Sequence, residues 1–133
     1  VRLVCDTNAL IAGLLADGLC RDIVKRRFHG RELFTSEALL AELNEKLRYK
    51  FDVDPDGVPF LKTYRNRATI LHAAPLPASV CRDSDDDEVL AVAVTARGEA
   101  IVTGDKDLLT LKTYAGIPIL SPRQLVELLD RRD

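Results

Sequence analysis

The stretch Val1-Arg2-Leu3-Val4-Cys5-Asp6-Thr7-Asn8-Ala9-Leu10-Ile11-Ala12-Gly13-Leu14-Leu15 changes its periodicity in the middle. Residues 1–5 are a short β-branched, apolar run. Beyond Asp6-Thr7-Asn8 the apolar side chains of Leu10, Ile11, Leu14 and Leu15 fall on one helical face. A strand therefore runs directly into a helix, with an acid at the junction.

The remainder of the chain alternates in the same way. Residues 19–28 read as a second amphipathic helix closed by His29-Gly30, and residues 32–35 as a strand. Ser36 is placed to cap a helix carrying Leu39, Leu40, Leu43 and Leu47. Asp, Pro and Gly over residues 52–59 mark a loop, after which residues 60–67 are helical and 68–72 read as a third strand. Pro75 and Pro77 break the chain. Ser84 then caps a helix whose apolar part, residues 89–96, ends near Gly98. Residues 100–103 and 117–120 are two further buried strands. Ser121-Pro122-Arg123-Gln124 combines an N-cap, a proline at the first helical position and a capping-box glutamine, opening a last helix to about residue 130. Near-continuous apolar strands alternating with helices predict a parallel sheet of about five strands, covered on both faces. The expectation is a single three-layer α/β domain over residues 1–133.

Composition agrees. With 133 residues, 47% hydrophobic and 30% charged, the chain suits one globular core and is short for two ordinary domains. No apolar run has the length of a membrane span, and Asp6 follows the opening run at once, unlike a secretory signal, so a cytoplasmic protein is expected. Cys5, Cys20 and Cys81 are odd in number and lack CxxC spacing, which argues against a disulfide framework or a zinc site. Nineteen basic and twenty-one acidic residues leave a formal charge of −2, which gives no overall attraction to nucleic acid. The signs segregate, however: Arg21, Lys25, Arg26, Arg27 and Arg31 lie in one stretch, and Asp83, Asp85, Asp86, Asp87 and Glu88 in another.

In a parallel sheet the strands share one carboxyl edge, and ligands bind in the crevice outside it. Asp6 ends the first strand there and Asp105 follows the strand at 100–103. A helix that precedes a parallel strand starts at that same edge, which brings in the Asp85-Asp86-Asp87 run. Glu42 lies about 9 Å down the helix after the second strand, at roughly 1.5 Å per residue. Asp87 leads Leu90, Ala91 and Val94 at i+3, i+4 and i+7, so its carboxylate is expected to point at the sheet. Each acid also has a plain structural reading: Asp6 and Asp105 as helix caps, Asp85 to Glu88 as complements to a helix dipole, and Glu42 as an i+4 partner of Lys46. Their convergence on one edge favours a shared role. Gathered carboxylates repel one another, and a hard divalent cation such as Mg²⁺ or Mn²⁺ removes the conflict. Such a site can hydrolyse a phosphodiester.

Four segments in order, Val4-Cys5-Asp6-Thr7-Asn8, the helix from Ser36 through Glu42, Asp85-Asp86-Asp87 with the helix after it, and Ile101-Val102-Thr103-Gly104-Asp105-Lys106-Asp107, resemble the PIN-domain family. The likeness spans nearly the whole chain and is nearest to prokaryotic toxin-type, VapC-like members. It implies a metal-dependent nuclease acting on RNA, with Asp6, Glu42, Asp87 and Asp105 as its four acids. Asp6, Asp87 and Asp105 would hold the metal, and Asn8, Ser36, Thr103 and Asp107 would support them. Asp85 and Asp86 compete with Asp87 for the third position, and Asp107 with Asp105 for the fourth. The resemblance further implies an antitoxin protein as partner and a homodimer.

For substrate binding the candidates are the basic stretch with Arg21 and Lys25, and Arg48, Lys50 and Arg65 interleaved with Tyr49, Phe51, Phe60 and Tyr64. His29 and His72 have no catalytic partner pattern. A haloacid-type phosphatase needs an aspartate where Asn8 stands, and a receiver domain needs a lysine where Ser121-Pro122 stands. The rival within the resemblance is a PIN scaffold that binds RNA or a protein without cutting, against which the intact acids argue.

Overall fold

A computed structural model describes residues 2–15 and 31–132 of the chain. The predicted helix at 19–28, with Arg21, Lys25 and His29, lies outside the described residues. The strands are β1 (Arg2–Cys5), β2 (Glu32–Thr35), β3 (Thr69–Ile70), β4 (Ala100–Val102), β5 (Thr113–Tyr114) and β6 (Ile117–Leu120). The helices are α1 (Thr7–Leu15), α2 (Glu37–Tyr49), α3 (Pro59–Arg67), α4 (Ser84–Ala96), α5 (Lys106–Leu111) and α6 (Pro122–Arg132).

The strands form one six-stranded sheet in the order β3-β2-β1-β4-β6-β5, parallel except for β5 against β6. Its two faces feed two apolar layers. Leu3, Cys5, Leu33, Ala100 and Val102 face one way, with Leu40, Leu43 and Leu47 of α2 and Leu125 and Leu129 of α6. Val4, Phe34 and Ile101 face the other, with Val89, Leu90, Ala93 and Ala96 of α4 and Leu108 of α5. Strand residues alternate between faces with period two, and because both faces are covered the strands read as unbroken apolar runs. The fold is thus the predicted three-layer α/β arrangement. Each fully buried aliphatic side chain contributes about 1.5–3 kcal/mol.

Three local readings change. The third strand is only Thr69–Ile70. A sixth strand, β5, joins the edge through a two-residue hairpin in which Ala115 (φ 51°) and Gly116 (φ 79°) both adopt left-handed backbone, as such hairpins require. The absence of an Asn-Gly or Asp-Gly pair hid it. Asp83, not Ser84, caps α4, its Oδ1 accepting the N–H of Asp85 at 2.9 Å. The capping box of α6 forms as read: Ser121 N–H donates to Gln124 Oε1 (2.9 Å) and Gln124 N–H to Ser121 Oγ (3.2 Å).

Chain direction across the sheet reverses between β3 and β4. From β1 the chain steps outward through β2 to β3, then returns to place β4 on the other side of β1. The connections leaving β1 and β4 therefore part at their carboxyl ends and open the crevice where ligands of such sheets bind.

Candidate metal centre

That crevice is lined by acids. Asp6 continues β1, its backbone N–H bonding Val102 O (2.9 Å) and its carbonyl accepting from Ala9 and Leu10 at the start of α1. Its side chain turns across to β4, where Oδ2 accepts from Thr103 Oγ1 at 2.9 Å. Asp6 is 2% exposed and Thr103 fully buried. The same Thr103 oxygen accepts the backbone N–H of Asp105 at 2.9 Å. One hydroxyl thus ties the ends of β1 and β4 together, donating to Asp6 and accepting from Asp105.

Asp105 caps α5, Oδ1 accepting the N–H of Asp107 at 2.7 Å. Its structural reading holds, yet it also joins a cluster: carboxylate oxygens of Asp86, Asp105 and Asp107 lie within 4.8 Å of one another. Asp86 is 5% exposed. Burial, and then the charges of Asp105 and Asp6, push its carboxyl up to about 7. Burial likewise raises Asp6, with Glu42 and Asp105 adding to the shift while Thr103 and Lys46 oppose it.

The third acid of the cluster therefore comes one residue earlier in the chain than expected. Asp87 is drawn out of the crevice by the preceding loop, where its carboxylate accepts N–H groups of Val80 (3.3 Å) and Cys81 (2.8 Å). The helical face explains the shift. Val89, Leu90 and Ala93, at i+3, i+4 and i+7 from Asp86, are all fully buried, whereas Val94, at i+7 from Asp87, is 41% exposed. Asp85 is exposed. Ranking the acids by the whole buried stripe, rather than by three apolar followers, finds Asp86.

The other candidates take distinct places. Glu42 pairs with Lys46 at 2.8 Å, and Lys46 Nζ also donates to Asn8 Oδ1 at 3.3 Å. Burial works against the Lys46 ammonium, but Glu42, Asp6 and Asp85 outweigh it and raise its pKa. Ser36 caps α2 through Leu39 N–H (3.2 Å) and donates to Glu88 Oε2 (3.3 Å), not to the clustered acids. Asp107 is gripped by Arg82, Nη2 to Oδ1 at 2.7 Å and Nε to Oδ2 at 3.3 Å. Sequence reasoning passed over Arg82, which lies in the loop before α4 and whose partner Asp107 is distant in the chain. Arg48 faces Asp54 and Asp56, Arg65 faces Glu37, and Lys50 lies over the Phe51 ring. None of these three pairs with a clustered acid. His72 is exposed, and burial pushes the Cys5 thiol far above its ordinary range.

The clustered donors are all carboxylate oxygens, which suits a hard divalent cation rather than a soft one. Their spacing is close to what ligands about 2.1 Å from a single ion can span. Burial and the neighbouring acids raise the Asp86 carboxyl, and a bound cation would oppose that shift.

The family model of the PIN domain matches residues 2–107, a span that contains every acid named above. A protein of Methanocaldococcus jannaschii, described only as uncharacterized, is 29% identical over 119 residues, covering 84% of this chain and 76% of its own.

Proposed function

The chain belongs to the PIN-domain family, and from that premise we propose that it is a ribonuclease, hydrolysing phosphodiester bonds with Mg²⁺ or Mn²⁺ held by Asp6, Asp86 and Asp105. PIN domains form a nuclease superfamily whose members generally depend on divalent metals. The observation that carries the reading is Asp86: a buried carboxyl raised to about 7 among other acids is costly to the fold and is relieved by a cation.

When bound, such an ion neutralises the acids and stabilises charge developing on the phosphate. The protein's own residues hold the arrangement. Thr103 keeps Asp6 facing β4 and the Asp107 N–H fixes Asp105. Both site hydroxyls, of Thr103 and Ser36, are already engaged, and the thiol of Cys5 is buried and unreactive. On this reading water is the nucleophile.

RNA is chosen over DNA on the likeness to toxin-type PIN proteins. In its fullest form the reading makes the chain a toxin restrained by an antitoxin protein and assembled as a homodimer. Growth arrest on expression, relieved by Asp6→Asn, would support that role. The nuclease itself is tested on a panel of single-stranded RNA, structured RNA and DNA with Mn²⁺, Mg²⁺ or chelator. Metal-dependent cutting of RNA, lost in Asp6→Asn, is expected. Metal binding without cutting on any substrate would instead favour a PIN scaffold that binds RNA or protein, and preferential cutting of DNA would overturn the choice of RNA.

A further inference from the structure

The acid cluster carries a cation at each end. At the Asp6 end Lys46 Nζ sits 2.8 Å from Glu42 Oε1 and 3.3 Å from Asn8 Oδ1, and its charge acts on Asp6 and Asp85. At the other end Arg82 forks onto both oxygens of Asp107 and acts on Asp105 as well. Resting on the nuclease reading above, we propose that Lys46 and Arg82 form the phosphate clamp of this site, gripping the phosphates on either side of the bond that is cut.

A polyanion must approach a crevice lined with carboxylates on a protein of net charge −2. Nothing in the overall charge draws it there, and among the described residues the cations beside the acids are placed to supply the attraction. The Arg2, Arg48 and Arg65 ion pairs are with Glu32, Asp54, Asp56 and Glu37, none of which is a clustered acid. Lys46 and Arg82 differ because their partners sit in or next to the cluster. With Asp86 and Asp105 holding a divalent ion, both cations would lie beside the place where phosphate arrives. Their side chains are 28% and 87% exposed, open to a ligand. The guanidinium fork that now spans a carboxylate matches a phosphate equally well, while the ammonium serves as a point charge.

The plain alternative is that Lys46 and Arg82 only hold Glu42 and Asp107 in place. The salt dependence of binding separates the two. Affinity for a single-stranded RNA oligonucleotide is measured over a salt series in Ca²⁺, used to hold the strand without cutting it, for the native chain, Lys46→Met, Arg82→Met and Lys46→Arg. Each Met variant should weaken binding and flatten the log–log salt slope by about 0.7, the value of one lost phosphate contact on a single strand. Lys46→Arg should keep the native slope. Mn²⁺ affinity without nucleic acid, read by calorimetry, should be unchanged or tighter in the Met variants, because a competing cation is gone. Native slopes with weakened Mn²⁺ binding would overturn the clamp and leave a positioning role. A native chain that binds neither Mn²⁺ nor oligonucleotide would instead overturn the nuclease reading on which the clamp rests.

Discussion

Two charge-rich regions of this molecule behave in opposite ways. On the outer flank of α2 and α3, Arg48 faces Asp54 and Asp56 at 3.8 Å each and Arg65 faces Glu37 at 3.0 Å, all on solvated side chains. The aromatics there divide between an exposed Tyr49 and a buried Tyr64 stacked on Phe60. At the carboxyl edge over β1 and β4, Asp6 and Asp86 are buried beside further acids, and Lys46 and Arg82 reach only the two ends of the cluster. Only the second gathers acids where burial and neighbouring carboxylates raise Asp6 and Asp86. Opposed charges in solvent contribute little and signal little. Unrelieved charge in the interior costs stability and so points to a ligand.

The largest expected effects would break or confirm this contrast directly. Asp6→Asn and Asp86→Asn should each lower metal-dependent cleavage by about a thousandfold, the scale on which loss of one electrostatic group acts in an active site. Arg48→Ala and Lys50→Ala should stay within about twofold of native, a change equivalent to under 0.5 kcal/mol. A flank variant as damaging as Asp6→Asn in the same assay would erase the distinction.

Next in size is Thr103→Val, which keeps the shape and removes the hydroxyl linking Asp6 to Asp105. Urea unfolding should show a loss of about 1–3 kcal/mol, as for hydrogen bonds to charged groups, and a native-like midpoint would sink this role.

Acidity gives a third test. Asp86 is raised to about 7 by burial, Asp105 and Asp6, and Asp6 is raised as well. Between the usual carboxylate range and about pH 7 the folded chain holds more protons than the unfolded one. Metal-free stability must then fall as pH rises through that window and level off above it. Melting curves without metal should show the fall, Asp86→Asn should flatten it, and Mn²⁺ should stabilise most near pH 8. A metal-free melting temperature that climbs from pH 5 to 7 would contradict the assignment. The smallest expected effect is Arg65→Ala, which should change stability by less than about 1 kcal/mol.

The layered fold was legible because burial on both sheet faces writes itself as unbroken apolar runs such as residues 2–5 and 100–102, and because Ser121 and Gln124 announce their capping box. The β5 hairpin was not, since Ala115 adopts left-handed backbone without a residue type that advertises it. At the site, Asp6 and Asp105 follow from their position at strand ends, which topology alone brings together, while Thr103 rests on the family resemblance. Asp86 and Asp87 could not be separated by the followers of Asp87 alone. Their difference depends on which apolar residues of α4 meet the sheet and on the free N–H groups of Val80 and Cys81, a tertiary partner that sequence spacing does not display.

The most direct test of the account sets those neighbours against each other, in one assay of Mn²⁺-dependent RNA cleavage by Asp86→Asn and Asp87→Asn. The account predicts that Asp86→Asn is inactive while Asp87→Asn cuts within about tenfold of native and melts a few degrees lower, having lost part of its grip on the loop. An active Asp86→Asn beside an inactive, folded Asp87→Asn would contradict it.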